Sequence, residues 1–134
     1  MAKASSSWPD IVKKSRKRRT PTQRLQDMKQ CVQEILEFTN KMDLRGFIKD
    51  KLVRNASEYL LEIINEASDH VPRPVRSKYP DVDWTRCGAY RKLMMPSNFH
   101  PDPRMVWRMI RKEMPPLLKA LDKVQMPPNG KRAF

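Results

Sequence analysis

Apolar residues recur every three or four positions in three long stretches, and this spacing constrains the fold more than any other feature. The stretches run from residue 25 to 38, from 44 to 67 and from 106 to 124. Such spacing places the apolar side chains on one side of a helix. No segment combines the alternation of a strand with turn residues at its ends. The sequence therefore predicts an all-α fold, an up-and-down bundle of four to five helices.

Capping residues predict where the first helices begin. Residues 20–23 read Thr-Pro-Thr-Gln, a capping box with proline at the first helical position, and the helix is expected to run to about Lys41. Asp43 can cap a short second helix, and a bend is expected near Asp50. A long helix of about 20 residues should follow, because its apolar period continues to Ala67.

Prolines divide the second half of the chain. Residues 71–83 contain three prolines and predict a connection with one helical turn around residues 75–79. A helix from Trp84 should end at Met95, since Pro96 disfavours helical geometry at the preceding residue. Asp102 and Pro103 form a second capping pair that opens the last helix. A kink is expected in this helix at Pro115 and Pro116, because proline has no N–H to donate.

The net charge of +13 predicts an acidic partner, with nucleic acid preferred over a membrane surface or an acidic protein. Residues 1–19 hold seven Lys/Arg and one Asp without periodic apolar positions, so they are expected to form a disordered basic arm. The arm either contacts RNA phosphates or only keeps the protein soluble. Residues 125–134 are expected to be a flexible tail. The arm's predicted RNA contacts are Lys13, Lys14, Arg16, Lys17, Arg18 and Arg19.

The cysteines and the hydropathy pattern exclude several classes of protein. Cys31 and Cys87 lack metal-ligand spacing and are interpreted as small buried residues in a reducing compartment. No metal or cofactor is expected. No apolar run approaches the ~20 residues that a membrane span needs, and the N-terminus has no signal core. The expected location is the cytoplasm.

Positive charge gathers around the break between the last two long helices. Seven Lys/Arg and one acid lie between Arg86 and Lys112, whereas residues 22–70 hold seven Lys/Arg and nine acids. Basic charge around a helix break indicates a polyanion site. The alternative is a helix–loop–helix connection whose basic faces are only solvated.

Five segments of the sequence carry a family pattern. They are Leu-Glu-Ile-Ile-Asn-Glu-Ala at 61–67, Tyr-Pro-Asp-Val-Asp-Trp at 79–84, Arg91, Val-Trp at 106–107 and Pro-Pro-Leu at 115–117. In this order they resemble the HepT-like members of the HEPN superfamily, over about residues 23–124. The resemblance implies a small all-α ribonuclease that works without metal in a homodimer cleft. It also implies a toxin whose partner is a minimal nucleotidyltransferase antitoxin, called MNT, which attaches adenylate groups to a Tyr of the toxin.

The family motif is an Arg, four to six residues, a His, and a Tyr two places later. Arg91 matches the Arg and Lys92 stands where Asn is usual, but the His position holds Pro96 and the Tyr position holds Asn98. Proline has no titratable group, so ribonuclease activity is expected to be weakened or lost. His100 could substitute only if the loop folds back; otherwise it is an exposed loop residue.

Three functions remain open after this comparison. The first is a HepT-like ribonuclease toxin, the second a non-catalytic homodimer that still binds RNA or another partner, and the third a general basic nucleic-acid binder. Pro96 favours the second over the first, and the contrast in charge between the two regions disfavours the third. The predicted RNA contacts in the domain are Lys92, Arg104 and Arg108.

Overall fold

The computed structural model describes residues 19–84 and 101–125, and within these ranges every regular element is helical. The predicted all-α class is confirmed. The helix predicted from Trp84 to Met95 lies outside the described residues, apart from Trp84 itself. The elements are α1 (Pro21–Thr39), α2 (Leu44–Lys49), α3 (Lys51–Asp69), α4 (Arg73–Lys78), α5 (Pro103–Arg108), a π-helical turn (Met109–Glu113) and α6 (Met114–Asp122).

The predicted capping box starts α1. The Gln23 N–H donates to Thr20 Oγ1 at 3.1 Å, and the Thr20 N–H donates to Gln23 Oε1 at 2.8 Å. Two N–H groups at this helix end are thereby satisfied. The helix ends at Thr39, two residues before the predicted Lys41.

Two aspartates divide the next stretch into α2 and α3. Asp43 accepts a hydrogen bond from the Gly46 N–H at 2.8 Å and so caps α2. Asp50 leaves helical geometry, with ψ of 93°, and accepts from the Val53 N–H at 3.1 Å to cap α3. The bend predicted near Asp50 is therefore confirmed.

The core forms where α1 packs against α3 and α6. Because α5 packs on both α2 and α3, the chain after residue 100 returns to the same core. The largest completely buried side chains from these elements are Met28, Val32 and Ile35 of α1, Phe47 of α2, Leu61 and Ile64 of α3, Val106 of α5 and Ile110 of the π-helical turn.

The last helix accommodates its two prolines with the π-helical turn. The Met114 N–H donates to the carbonyl of Met109, five residues earlier, immediately before Pro115 and Pro116. Neither proline has a backbone N–H to donate to the carbonyl four residues earlier, as an α-helix requires. The wider π-helical turn occurs where these α-helical hydrogen bonds cannot form. Where a kink was predicted, the structure has this π-helical turn just upstream of the prolines, and the helix does not end there, because α6 continues to Asp122.

Arg111, in the π-helical turn, closes the C-terminal end of α1. Its Nη2 donates to the carbonyl oxygens of Thr39 and Met42, the latter at 3.0 Å. The last carbonyls of a helix have no partner within the helix and favour a positive charge. The guanidinium also lies 4.2 Å from the centre of the Trp107 ring, which packs 5.1 Å from the Phe47 ring. Arg111 therefore links the π-helical turn to α1 and α5 directly, and to α2 through Trp107.

Arg111→Met should lower the free energy of unfolding by about 2 kcal/mol, because it removes hydrogen bonds from a charged donor to half-buried carbonyls. Urea denaturation followed by circular dichroism measures this difference. Lys112→Met is the matched control, since Lys112 is exposed and adjacent. Equal losses in both variants would show that Arg111 contributes only general charge.

Candidate nucleic-acid interface

The structure describes three of the predicted site residues. Arg104 and Arg108 lie on α5, and Arg19 lies just before α1. All other predicted site residues lie outside the described ranges, and their roles stay predictions. They comprise the catalytic candidates, the two altered motif positions and the remaining RNA contacts. They are Arg91, Lys92, Pro96, Asn98 and His100 in the segment 85–100, and Lys13, Lys14, Arg16, Lys17 and Arg18 in the arm.

The chain is anchored on the bundle on both sides of the segment 85–100. Before it, the Trp84 indole Nε1–H lies 3.1 Å from the carbonyl oxygens of both Arg76 and Tyr79. After it, Pro101 is buried, and Asp102 accepts a hydrogen bond from the Arg104 N–H at 2.9 Å to cap α5. The motif of Arg91 and Pro96 thus lies between a tryptophan held at the end of α4 and the capped start of α5.

Three exposed basic residues follow this anchor at intervals of four. We call Arg104, Arg108 and Lys112 the basic edge. Residues four apart are neighbours on a helix surface, so Arg104 and Arg108 of α5 present their charges on one side. Exposed guanidinium and ammonium groups at this spacing can contact successive phosphates of a nucleic-acid backbone. Lys112 lies in the basic stretch but is not among the RNA contacts predicted from the sequence.

Arg111 belongs to the same basic stretch but has a different role. Its guanidinium is half-buried and donates hydrogen bonds to the carbonyls at the end of α1. It could bind a phosphate only by breaking these hydrogen bonds. The charge count alone therefore overestimated the free positive charge at this break. A signal was present in the sequence, because Trp107 lies four residues before Arg111, the spacing at which a guanidinium can stack on an aromatic ring in a helix.

Arg19 is also engaged within the chain. Its Nε and Nη2 lie 2.6 Å and 2.7 Å from the two carboxylate oxygens of Asp27 on α1. A two-pronged pair of this kind fixes orientation as well as charge. The last residue of the predicted arm is thus held on α1, and its charge is partly neutralised where RNA contact was expected.

The outer face of α1 has a different chemical character from the basic edge. Its groove is lined by glutamines, two glutamates and Lys29. Lys29 forms an ion pair with Asp122 of α6 at 2.8 Å, so its charge joins two helices. Few positively charged side chains on this face are therefore available to bind the phosphates of a nucleic acid. The groove residues are Gln26, Lys29, Gln30, Gln33, Glu34 and Glu37.

Cys31 is buried, as predicted, and its thiol is unsuited to nucleophilic chemistry. Burial raises its pKa from 9.0 to about 12, with further contributions from the negative charges of Glu34 and Asp27. The thiolate is the reactive form, and at neutral pH this cysteine remains a thiol. Cys87 lies outside the described residues.

Two further features of the described ranges bear on the type of site. Among residues 19–84 and 101–125, no three His, Cys, Asp or Glu side chains gather closely enough to hold a metal ion. No helix in the same ranges combines the length and apolar character that crossing a membrane requires.

Comparison with known proteins identifies the fold's family. The family model described as ribonuclease HepT-like matches residues 28–124. The chain belongs to this family. The HepT-like region therefore includes most of α1, all later described helices and the segment 85–100, and it leaves the N-terminal arm outside. The resemblance found in the sequence is confirmed.

Relatives of this HepT-like chain carry ribonuclease names. A candidate RNase of Methanocaldococcus jannaschii is 30% identical over 98 residues, which cover 73% of this chain and 90% of that protein. The protein named probable ribonuclease HepT from Thermococcus cleftensis is 28% identical over 101 residues, which cover 75% and 92%. No solved structure matches the chain significantly.

The Cys31 thiol makes the stability of the domain depend on pH in the alkaline range. Because its pKa is higher in the folded protein, the folded state holds the proton more tightly than the unfolded state between pH 9 and about 12. Stability from this group is complete below pH 9 and falls as the pH rises through this window. We expect the free energy of unfolding to fall less steeply in Cys31→Ala than in the wild type. Parallel pH profiles from urea denaturation would contradict the assignment.

Proposed function

We propose that this HepT-like protein binds RNA as a homodimer and that its ribonuclease activity is weakened or absent. The observation that carries the proposal is Pro96, at the position where the family motif requires a histidine. Family membership supports RNA as the substrate class, since the family is described as ribonuclease HepT-like. The substitution separates RNA binding, which needs charge, from RNA cleavage, which also needs a proton donor and acceptor.

The expected chemistry explains why one substitution has this effect. A histidine can take a proton from the ribose 2′-OH or give one to the leaving oxygen, and an arginine can stabilise the charge that grows on the phosphate. Arg91 retains the second function, but Pro96 removes the first. His100 is the alternative proton carrier, and eight residues separate it from Arg91, beyond the four to six of the motif.

RNA binding is supported by the basic edge. Arg104, Arg108 and Lys112 are exposed immediately after the segment that contains Arg91 and Lys92. Residues 22–70, by contrast, carry two more acids than bases. A polyanion is therefore attracted to one part of the domain and not to its whole surface. Such binding depends on phosphates and should have little sequence preference.

A toxin–antitoxin role is the second part of the proposal. Within the family pattern, the antitoxin nucleotidyltransferase modifies a tyrosine, and this chain has Asn98 at that position. A side-chain amide offers no hydroxyl oxygen to attack a nucleotide phosphate. An MNT partner of this protein would therefore act by binding rather than by adenylation at position 98.

Replacing Arg104 and Arg108 together with Gln should weaken RNA binding and reduce its dependence on salt. Each lost phosphate contact on a single strand lowers the slope of log K against log salt concentration by about 0.7, so the pair should lower it by about 1.4. Fluorescence anisotropy with a labelled single-stranded RNA measures both quantities. The matched control replaces Lys119 and Lys123, two exposed basic residues at the end of the last helix. Equal slopes in both double variants would show that the basic edge is only a solvated surface.

Restoring the motif with Pro96→His and Asn98→Tyr should raise RNA cleavage by about 10²- to 10⁴-fold, the usual contribution of general acid–base catalysis. Cleavage of a defined RNA is followed on a gel without added metal. Adding Arg91→Ala to the restored variant is the control and should remove the gain. Robust cleavage by the unaltered protein that His100→Ala abolishes would instead assign proton transfer to His100.

A further inference from the structure

A second basic surface lies at the corner where α1 ends and α2 and α3 begin. Residues 41–54 contain five Lys/Arg and two acids, whereas the rest of residues 22–70 contains two Lys/Arg and seven acids. The acidic balance of this region therefore does not extend to the corner, where the charge is positive. Four of the five cations are exposed, and we call them the basic corner. They are Lys41, Arg45, Lys49 and Lys51.

The two acids of this corner are engaged with the backbone. A carboxylate oxygen of Asp43 lies 2.8 Å from the Gly46 nitrogen, and one of Asp50 lies 3.1 Å from the Val53 nitrogen. Both carboxylates thus cap helices and offset the partial positive charge of the helix ends. Within the described part of the chain, no carboxylate forms an ion pair with a member of the basic corner. The corner therefore presents cations that no described acid neutralises.

The packing of α2 sets the direction of two of these cations. Phe47 is completely buried, and its ring packs against that of Trp107 on α5. Arg45 and Lys49 lie two residues before and after Phe47, about 200° around the helix, so they point away from the core. They are four residues apart, about 6 Å along the helix axis, and are neighbours on its outer side. Arg104 and Arg108 of the basic edge have the same spacing.

The basic corner and the basic edge belong to elements that are in contact. Helix α2 packs on α5, and Arg111 donates a hydrogen bond to the Met42 carbonyl at 3.0 Å. Lys41 precedes Met42 and Lys112 follows Arg111, and both lysines are exposed. One cation of each surface is thus the chain neighbour of a residue in this hydrogen bond. A single extended polyanion can therefore reach both surfaces.

We propose that the basic corner is a second phosphate-binding surface and that one RNA strand contacts it and the basic edge at the same time. The inference rests on the RNA binding of the proposed function and extends the contact away from the segment that carries the motif. RNA is favoured over an acidic protein because a nucleic-acid strand repeats its charge at every nucleotide, which suits cations at a regular helical interval. Affinity held at these two surfaces requires neither Arg91 nor the residue at position 96.

Salt dependence distinguishes simultaneous contact from two alternative sites. If one RNA contacts both surfaces, Arg45→Gln/Lys49→Gln should lower the slope of log K against log salt concentration by about 1.4, since each lost contact on a single strand contributes about 0.7. Adding Arg104→Gln and Arg108→Gln should lower the slope by about 2.8 in total. If the two surfaces bound RNA independently, the unaltered surface would keep its own slope.

RNA length provides a second readout by fluorescence anisotropy. Single-stranded sites on small domains occupy about 4–16 nucleotides, so labelled RNAs of about 5 and about 20 nucleotides are compared. The shorter RNA cannot span both surfaces. Arg45→Gln/Lys49→Gln should therefore lower the slope for the longer RNA and leave that for the shorter RNA, which the basic edge still binds, unchanged.

Matched variants control for net charge and folding. Lys119→Gln/Lys123→Gln removes the same charge from α6 and should lower the slope less, whereas Arg45→Lys/Lys49→Arg keeps the charge and should keep the slope. Circular dichroism checks that each variant is folded. If the double variant at the corner does not fold, Arg45→Gln and Lys49→Gln are measured separately, and each should lower the slope by about 0.7.

The possible outcomes separate this inference from the proposed function. A corner variant whose slope equals that of the wild type or of the α6 control, while the variant of the basic edge still lowers it, would overturn the corner and leave RNA binding standing. Polyglutamate that displaces the longer RNA as effectively as unlabelled RNA does would assign the corner to acidic proteins instead. A wild-type protein without salt-dependent RNA binding would overturn both proposals.

Discussion

The interaction between Arg111 and the C-terminal end of α1 holds the two parts of the described chain together. Its guanidinium binds carbonyls 69 and 72 residues earlier in the sequence and stacks on Trp107. Trp107 in turn packs on Phe47 of α2. Apolar burial supplies most of the attraction between helices, but it has no direction. The hydrogen bonds of Arg111 add direction, because they fix which end of α1 the last helix approaches.

The π-helical turn explains how one basic run serves both the fold and the surface. It lies directly before Pro115 and Pro116, whose missing N–H groups would leave carbonyls of a regular helix without donors. Within the turn, Arg111 is half-buried against α1, while Lys112 stays exposed. Adjacent residues of equal charge thus point to different environments. The exposed positive charge of this run is that of the basic edge, and Arg111 adds to the field without being free to bind.

Sequence reasoning located the helix starts well because their signals are local. Thr20, Asp43, Asp50 and Asp102 each accept a bond from a backbone N–H two or three residues ahead, a relation that needs no knowledge of the rest of the fold. The role of Arg111 was missed because its partners are distant in sequence. The ion pair between Arg19 and Asp27 was missed for another reason. The basic arm has no periodic apolar residues, so its sequence does not indicate which of its basic side chains pairs with an acidic one. The assignments of Arg91 and Pro96 still rest on the family motif.

Family membership is stronger evidence for the fold of this chain than for its catalytic activity. The matched region includes the core made by α1, α3 and α6, which requires only apolar side chains at helical spacing. Cleavage requires a titratable group at one position of a motif, and a fold can lose that group without losing its core. Binding tolerates such a loss as well, because phosphates are attracted by the summed charge of several residues. On the proposed function, proline in place of the histidine should therefore lower the rate of cleavage and leave the affinity for RNA unchanged.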